Sequence, residues 1–205
     1  MKTPAYLLRY AAIVAVTLAL CMAVPFAGAG SAGQTDRDIG ALRDFNSRIE
    51  QYMTIHRRAD TLVPHIQPTS SAKKIIDRRH ALAAEIAKQR GATREANIFT
   101  PEIDAYFGRL IHAAYQQNAR GIETTLECTC PVNEEELKPN DVYPEGAEYM
   151  VMPSTILLHV PELPPELEYR IVNKDLIIRD REANLIVDIL RNAVVPPAGR
   201  KLCED

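Results

Sequence analysis

The stretch LEYRIVNKDLIIRDREANLIVDIL, residues 167 to 190, constrains the fold more than any other part of the chain. Its polar and apolar residues alternate over Glu168 to Ile171, Asp175 and Arg179 bracket a short apolar run, and the apolar residues run almost unbroken over Leu185 to Leu190. That is the period of extended strands, not of a helix. Asn173-Lys174 supplies a tight turn and Asp180 to Asn184 a longer one, because Asn tolerates positive φ and Asp bonds back to its own backbone. The spacing therefore predicts a three-stranded antiparallel meander. Strict alternation in the third strand directs Leu185, Val187 and Ile189 one way and Ile186 and Leu190 the other, with Asp188 as the single polar break. A strand apolar on both faces is either covered on both or waiting for a neighbour. One outcome is a meander that caps preceding helices; the other is an edge at Leu185, Val187 and Ile189 that pairs with a second copy, as a homodimer, or with another protein.

Upstream the period changes to that of helices. Thr35, Asp36 and Asp38 suit a helix start as caps and as charges against the dipole. Ile39, Leu42, Phe45, Ile49, Tyr52, Ile55, Ala59 and Leu62 follow at steps of three and four, and Pro64 and Pro68 end the run. A second helix is expected from Ser71 to Arg90, with Ser70 or Ser71 as cap, Ile75, Leu82 and Ile86 inward, and Gly91 at its end. Thr100-Pro101-Glu102 reads as a cap residue, a proline at the first helical position and a first-turn acid. From there Ile103, Phe107, Leu110, Ile111 and Ala114 form a buried face to about Ala119, and Gly121 breaks or bends the helix before Ile122 to Glu127. Residues 128–166 are rich in proline and acid and read as a connector packed on the body, with one helical turn at Ser154 to His159 after Pro153. The fold class is thus α+β: a three-helix body over 35–127, a proline-rich connector over 128–166, a β meander over 167–190 and a tail over 191–205. With 46% hydrophobic residues in a chain of 205, one domain with a small appendage can bury a core.

The first residues read as a targeting segment. Lys2 and Arg9 precede an uncharged apolar run from Ala11 to Val24, Pro25 breaks it, and Ala27-Gly28-Ala29 fits a small-x-small cleavage site, with Gly30-Ser31-Ala32 as a second. A signal peptide over 1–29, cut after Ala29 or Ala32, places the protein in the periplasm or outside the cell. The alternative is an uncleaved N-terminal anchor, since Ala11 to Ala29 approaches the roughly 17 to 25 residues that span a bilayer. A lipoprotein fits less well, because Leu20 is bulky before Cys21. Cleavage removes two of the 24 basic residues and none of the 27 acidic ones, so 22 against 27 leaves about −5. Such a chain has no basic field for nucleic acid and, once cut, no segment for stable membrane insertion.

Export also changes the cysteine count. Cys128, Cys130 and Cys203 remain, an odd number in a compartment where disulfides persist. A bridge from Cys128 or Cys130 to Cys203 would tie down the tail, worth on the order of 4 kcal/mol in the chain-entropy view. Free or intermolecular thiols are the second option, and a soft-metal site from Cys128, Cys130 and Glu134 the third. No H-x3-H or H-E-x-x-H spacing exists, so His56, His80 and His112 read as solvated helix-face histidines beside acids. Arg57-Arg58 and Arg78-Arg79 likewise read as solvated faces making i,i+4 contacts. There is no G-x-S-x-G, P-loop or G-x-G-x-x-G motif, so nothing in the sequence argues for an enzyme and no cofactor is expected.

The segments NDVYPEGAEYMVMPSTILLHVPELP, from Asn140, and LPPELEYRIVNKDLIIRDREANLIVDIL, from Leu163, together resemble a family of secreted bacterial proteins with no assigned activity. The meander alone is also similar to that of the RcnB-type periplasmic proteins associated with nickel and cobalt homeostasis. There a threonine-glycine turn precedes the last strand, where this chain has Ala183-Asn184. That resemblance implies a fold and a link to metal handling, but it brings no metal ligands. Two functions follow as expectations: an exported, non-enzymatic binding or accessory protein of the bacterial cell envelope, or a periplasmic metal-binding protein using Cys128 and Cys130.

Overall fold

The computed structural model describes residues 29–91, 98–127, 137–143, 152–172 and 174–194. Met1–Arg37 and Asp38–Asp205 are separate compact units, and the packing below is that of Asp38–Asp205. Three helices, α1 (Ala29–Leu62), α2 (Ala72–Arg90) and α3 (Pro101–Glu127), precede a single turn, α4 (Ser154–Leu157). Strands β1 (Leu167–Val172), β2 (Asp175–Asp180) and β3 (Leu185–Leu190) follow as an antiparallel sheet in the order β1-β2-β3. The expected α+β architecture is the one observed. No described helix is long and apolar enough to cross a membrane.

Several helix boundaries have a local cause. α1 ends two residues before Pro64, whose ring disfavours helical backbone in the residue it follows. α2 stops at Gly91, which takes φ 65° and donates its N–H to Ala87 O. Thr100 opens α3 with its carbonyl on Asp104 N–H at 2.8 Å, and Pro101 loses nothing at a position without an intrahelical N–H partner. The bend expected at Gly121 falls at Asn118, with φ −155° and ψ 64°. Asn118 Oδ1 accepts Gly121 N–H at 2.9 Å, so it caps the second half of the helix. A Cβ on residue 121 would sit 2.3 Å from that amide, which explains why the bend pairs asparagine with glycine.

One core joins the helices to the near face of the sheet. Phe45, Ile49 and Met53 from α1, Leu82 and Ile86 from α2, and Ile103, Phe107 and Ile111 from α3 pack with Tyr169, Ile178, Val187 and Leu190. Phe107 lies at its centre, against Phe45, Phe99, Tyr106 and Tyr169. Both ends of the α1 stripe drift out of this core: Ile39 is 50% exposed and Leu62 62%. Ile75, expected inward, is 40% exposed.

The far face carries a second, smaller cluster of Tyr143, Val172, Ile177, Ile186 and Ile189, with Leu137 against it. Strict alternation fails in β3. Ile178 pairs with Asp188 but the next residue, Arg179, pairs with Ile186, so Val187 is an extra residue in the ladder. Across that bulge Leu185, Val187 and Leu190 join the helix-side core while Ile186 and Ile189 join the far cluster. The predicted grouping of Ile189 with Leu185 and Val187 is corrected accordingly. The outer edge of β3 is occupied from within the chain: Val142 bridges Leu185, Asn140 N–H meets Ile186 O at 2.8 Å, Ile186 N–H meets Asp141 O at 2.9 Å, and Tyr143 N–H meets Asn184 O at 2.8 Å. All six β3 residues are buried, including Leu185, Val187 and Ile189.

Candidate functional site

Polar side chains concentrate where β2 turns into β3. Asp180 ends β2, and its Oδ1 accepts the N–H groups of Glu182 and Ala183 at 3.0 and 2.8 Å, the backbone-binding turn that an aspartate there favours. Its Oδ2 is left for α1, where Tyr52 and His56 lie one turn apart. Tyr52 donates its hydroxyl at 2.7 Å and His56 Nδ1 lies at 2.6 Å. The second nitrogen, Nε2, faces Glu182 Oε2 at 3.5 Å. Asp180 is fully buried and His56 is 4% exposed.

Burial alone would lower the His56 pKa. The hydrogen bond and charge of Asp180, with the charges of Glu182 and Asp60, outweigh it and hold the imidazole above its ordinary 6.5. Burial and then Asp180 push the Tyr52 hydroxyl well up, so it remains a donor. His56 is thus a histidine between two carboxylates, not the solvated helix-face residue that spacing suggests.

A second buried carboxylate sits at the bulge. Asp188 Oδ2 accepts Ile98 N–H and, at 2.9 Å, Phe99 N–H, while Oδ1 takes Ile189 N–H at 2.8 Å. Arg90, at the end of α2, reaches Asn140 Oδ1 at 2.8 Å and Val187 O at 2.9 Å, with its guanidinium 5.4 Å from the Tyr52 ring. Burial raises the Asp188 pKa, and three N–H donors and the Arg90 charge pull against that rise. Burial lowers that of Arg90. These groups fasten α2 and residues 98–99 to β3.

Outside this sealed layer lies an open cleft of about 570 Å³, lined by four arginines, Arg79, Arg170, Arg179 and Arg181, and three glutamates. Glu168 receives Arg179 Nη1 on one oxygen and Arg170 Nη2 on the other, both at 2.8 Å. Arg179 is fixed further by Asn184 Oδ1, 2.9 Å from its Nε, and by the Tyr143 ring, 4.6 Å away. Asn184 takes the left-handed conformation expected of it, φ 52°, and donates its amide to Tyr143 O. Arg181 reaches Pro165 O at 3.1 Å. Arg79 has no hydrogen-bond or ion-pair partner among the described residues. Glu182 belongs to both layers, lining the cleft while facing His56.

A second groove, about 690 Å³, runs along α3 between His112, Tyr115 and Gln116 and the Asn192-Ala193 pair. The Tyr115 hydroxyl is buried there without a hydrogen-bond partner, and burial with the charge of Glu123 pushes it up to about 12.

Cys128, Cys130, Glu134 and Cys203 lie outside the described residues, as do Cys21 and the expected signal segment up to residue 28. Among the described residues no group of three or more His, Cys, Asp or Glu could hold a metal ion. His80 and His112 are exposed and do not join His56. Arg57 pairs with Glu50 and Arg78 with Asp60 of the neighbouring helix, rather than at i,i+4. The chain matches no family model, no curated protein and no solved structure.

Proposed function

We propose that this is an exported binding or accessory protein of the bacterial cell envelope that holds its ligand in the arginine-lined cleft without turning it over. The cleft carries the reading: it is open, of a size typical for small-ligand sites, and walled by arginines of which Arg179 is held rigid before any ligand arrives. The neighbouring histidine supports binding over catalysis. Both His56 nitrogens face carboxylates, which favour the imidazolium, and that form has no lone pair to offer as a general base. The N-terminal pattern of Lys2, Arg9, the apolar run and Pro25 supports export.

The test expresses the full chain in a bacterium with an outer membrane and recovers it by osmotic shock. The expected protein begins at Gly30 or Gly33, and an envelope extract slows amide exchange in 165–170 and 179–182. Retention of the uncut chain in the cytoplasm would overturn export. Unchanged exchange around the cleft would overturn its role in binding.

A further inference from the structure

We propose that the cleft recognises a phosphate monoester, with Arg79 and Arg181, which reach it from different elements, closing on the phosphate. This rests on the cleft being the binding site. The charge balance points to an anion. Glu168 is saturated by Arg170 and Arg179, and Glu182 is offset by His56 whenever the imidazole is protonated. What remains is Glu166 against the guanidiniums of Arg79 and Arg181, neither of which has a carboxylate partner among the described residues. Four arginines and three glutamates make the cleft net positive, on a chain whose formal charge is −3. A positive cleft on an acidic protein concentrates anions locally.

The choice of phosphate follows from the number of forks. One carboxylate already bridges Arg170 and Arg179 with its two oxygens, which exhausts a planar, singly charged group. A phosphate monoester carries roughly −1.5 to −2 charges and three acceptor oxygens, so it can engage guanidiniums arriving from different elements. Arg79 comes from α2 and Arg181 from the β2–β3 turn. The cleft is much larger than a bare phosphate, so it has room for the esterified group.

The experiment titrates the full mature chain with glycerol 1-phosphate, inorganic phosphate and acetate, following arginine Nε–Hε signals by NMR. A parallel arm uses vesicles of phosphatidylcholine with and without phosphatidic acid, whose headgroup is a phosphate monoester. Glycerol 1-phosphate is expected to shift the Arg79 and Arg181 signals at concentrations where acetate does not. Arg79→Ala combined with Arg181→Ala should weaken binding roughly tenfold or more, since two charge-assisted contacts are removed. The melting temperature should not move, which separates lost binding from lost fold. A response to phosphatidic acid vesicles and not to the soluble ester assigns the phosphate monoester to a lipid headgroup, and the reverse assigns it to a free ester. Equal binding of acetate, or undiminished binding by the double variant, would overturn the proposal. If no phosphate probe binds while an envelope extract still protects the cleft, the ligand class is wrong and the binding reading stands. If neither acts, both fall.

Discussion

The two sides of the β2–β3 turn use the same chemistry to opposite ends. On the helix side Asp180 and Asp188 are sealed from water and saturated by Tyr52, His56 and backbone N–H groups. On the far side Glu168 bridges two arginines at the wall of an open cleft. A buried carboxylate cannot lose a donor without being left charged and unpaired in a poorly polarisable medium. A carboxylate at a wet rim exchanges protein partners for water at little cost. The inner pairs therefore hold the fold, and the outer pairs contribute less to it while keeping Arg179 in place at the cleft wall.

Substitutions that attack the inner layer should be the most damaging. Asp188→Ala strands three backbone N–H groups and removes the charge facing Arg90, so urea unfolding should show a loss of about 3–5 kcal/mol. A loss below 1 kcal/mol would mean that water replaces the carboxylate and that the bulge is not a fastening point. Next comes Tyr52→Phe, which takes one donor from Asp180 while keeping the ring in the core; the expected loss is about 1.5–3 kcal/mol by the same assay.

The pH dependence of the inner layer has a definite sign. The folded His56 pKa lies above the unfolded value, so its stabilisation is complete below about pH 6.5 and is lost as pH rises through the folded value. The stability difference between the wild type and His56→Gln should shrink across that window, as read from unfolding midpoints at successive pH values. A difference that grows with pH would reverse the assignment of His56 as the protonated partner. The smallest effect belongs to the cleft. Glu168→Gln should cost no more than about 1 kcal/mol, and molar salt should remove most of the difference.

Much of the architecture was legible because it is periodic. Proline and glycine punctuated α1, α2 and α3, and short apolar segments bounded by turn residues marked the three strands. The bulge at Val187 was not legible, since one extra residue inside an all-apolar run leaves no mark in composition. Its effect was large: it moved Ile189 to the far face and let Asp188 reach residues 98–99. His56 stood in phase with Tyr52 on the buried stripe, a signal that was available. Its partner Asp180 lies 124 residues away, which no local pattern connects. The cleft was illegible for the same reason, because its arginines come from α2, β1, β2 and the turn beyond. Leu62 and Ile75 were placed inward by spacing alone, yet they lie at or near helix ends, and Ile39 opens the α1 stripe before it reaches the core.

The most direct test of the division between layers is urea unfolding of Asp180→Asn beside Glu168→Gln at neutral pH. Both replace one carboxylate by an amide of nearly equal size, and only the surroundings differ. This division between layers predicts that Asp180→Asn loses at least about 2 kcal/mol more, because its buried oxygens serve Tyr52, His56 and two backbone N–H groups. Equal losses from the two substitutions would contradict it and would make the cleft part of the structural framework.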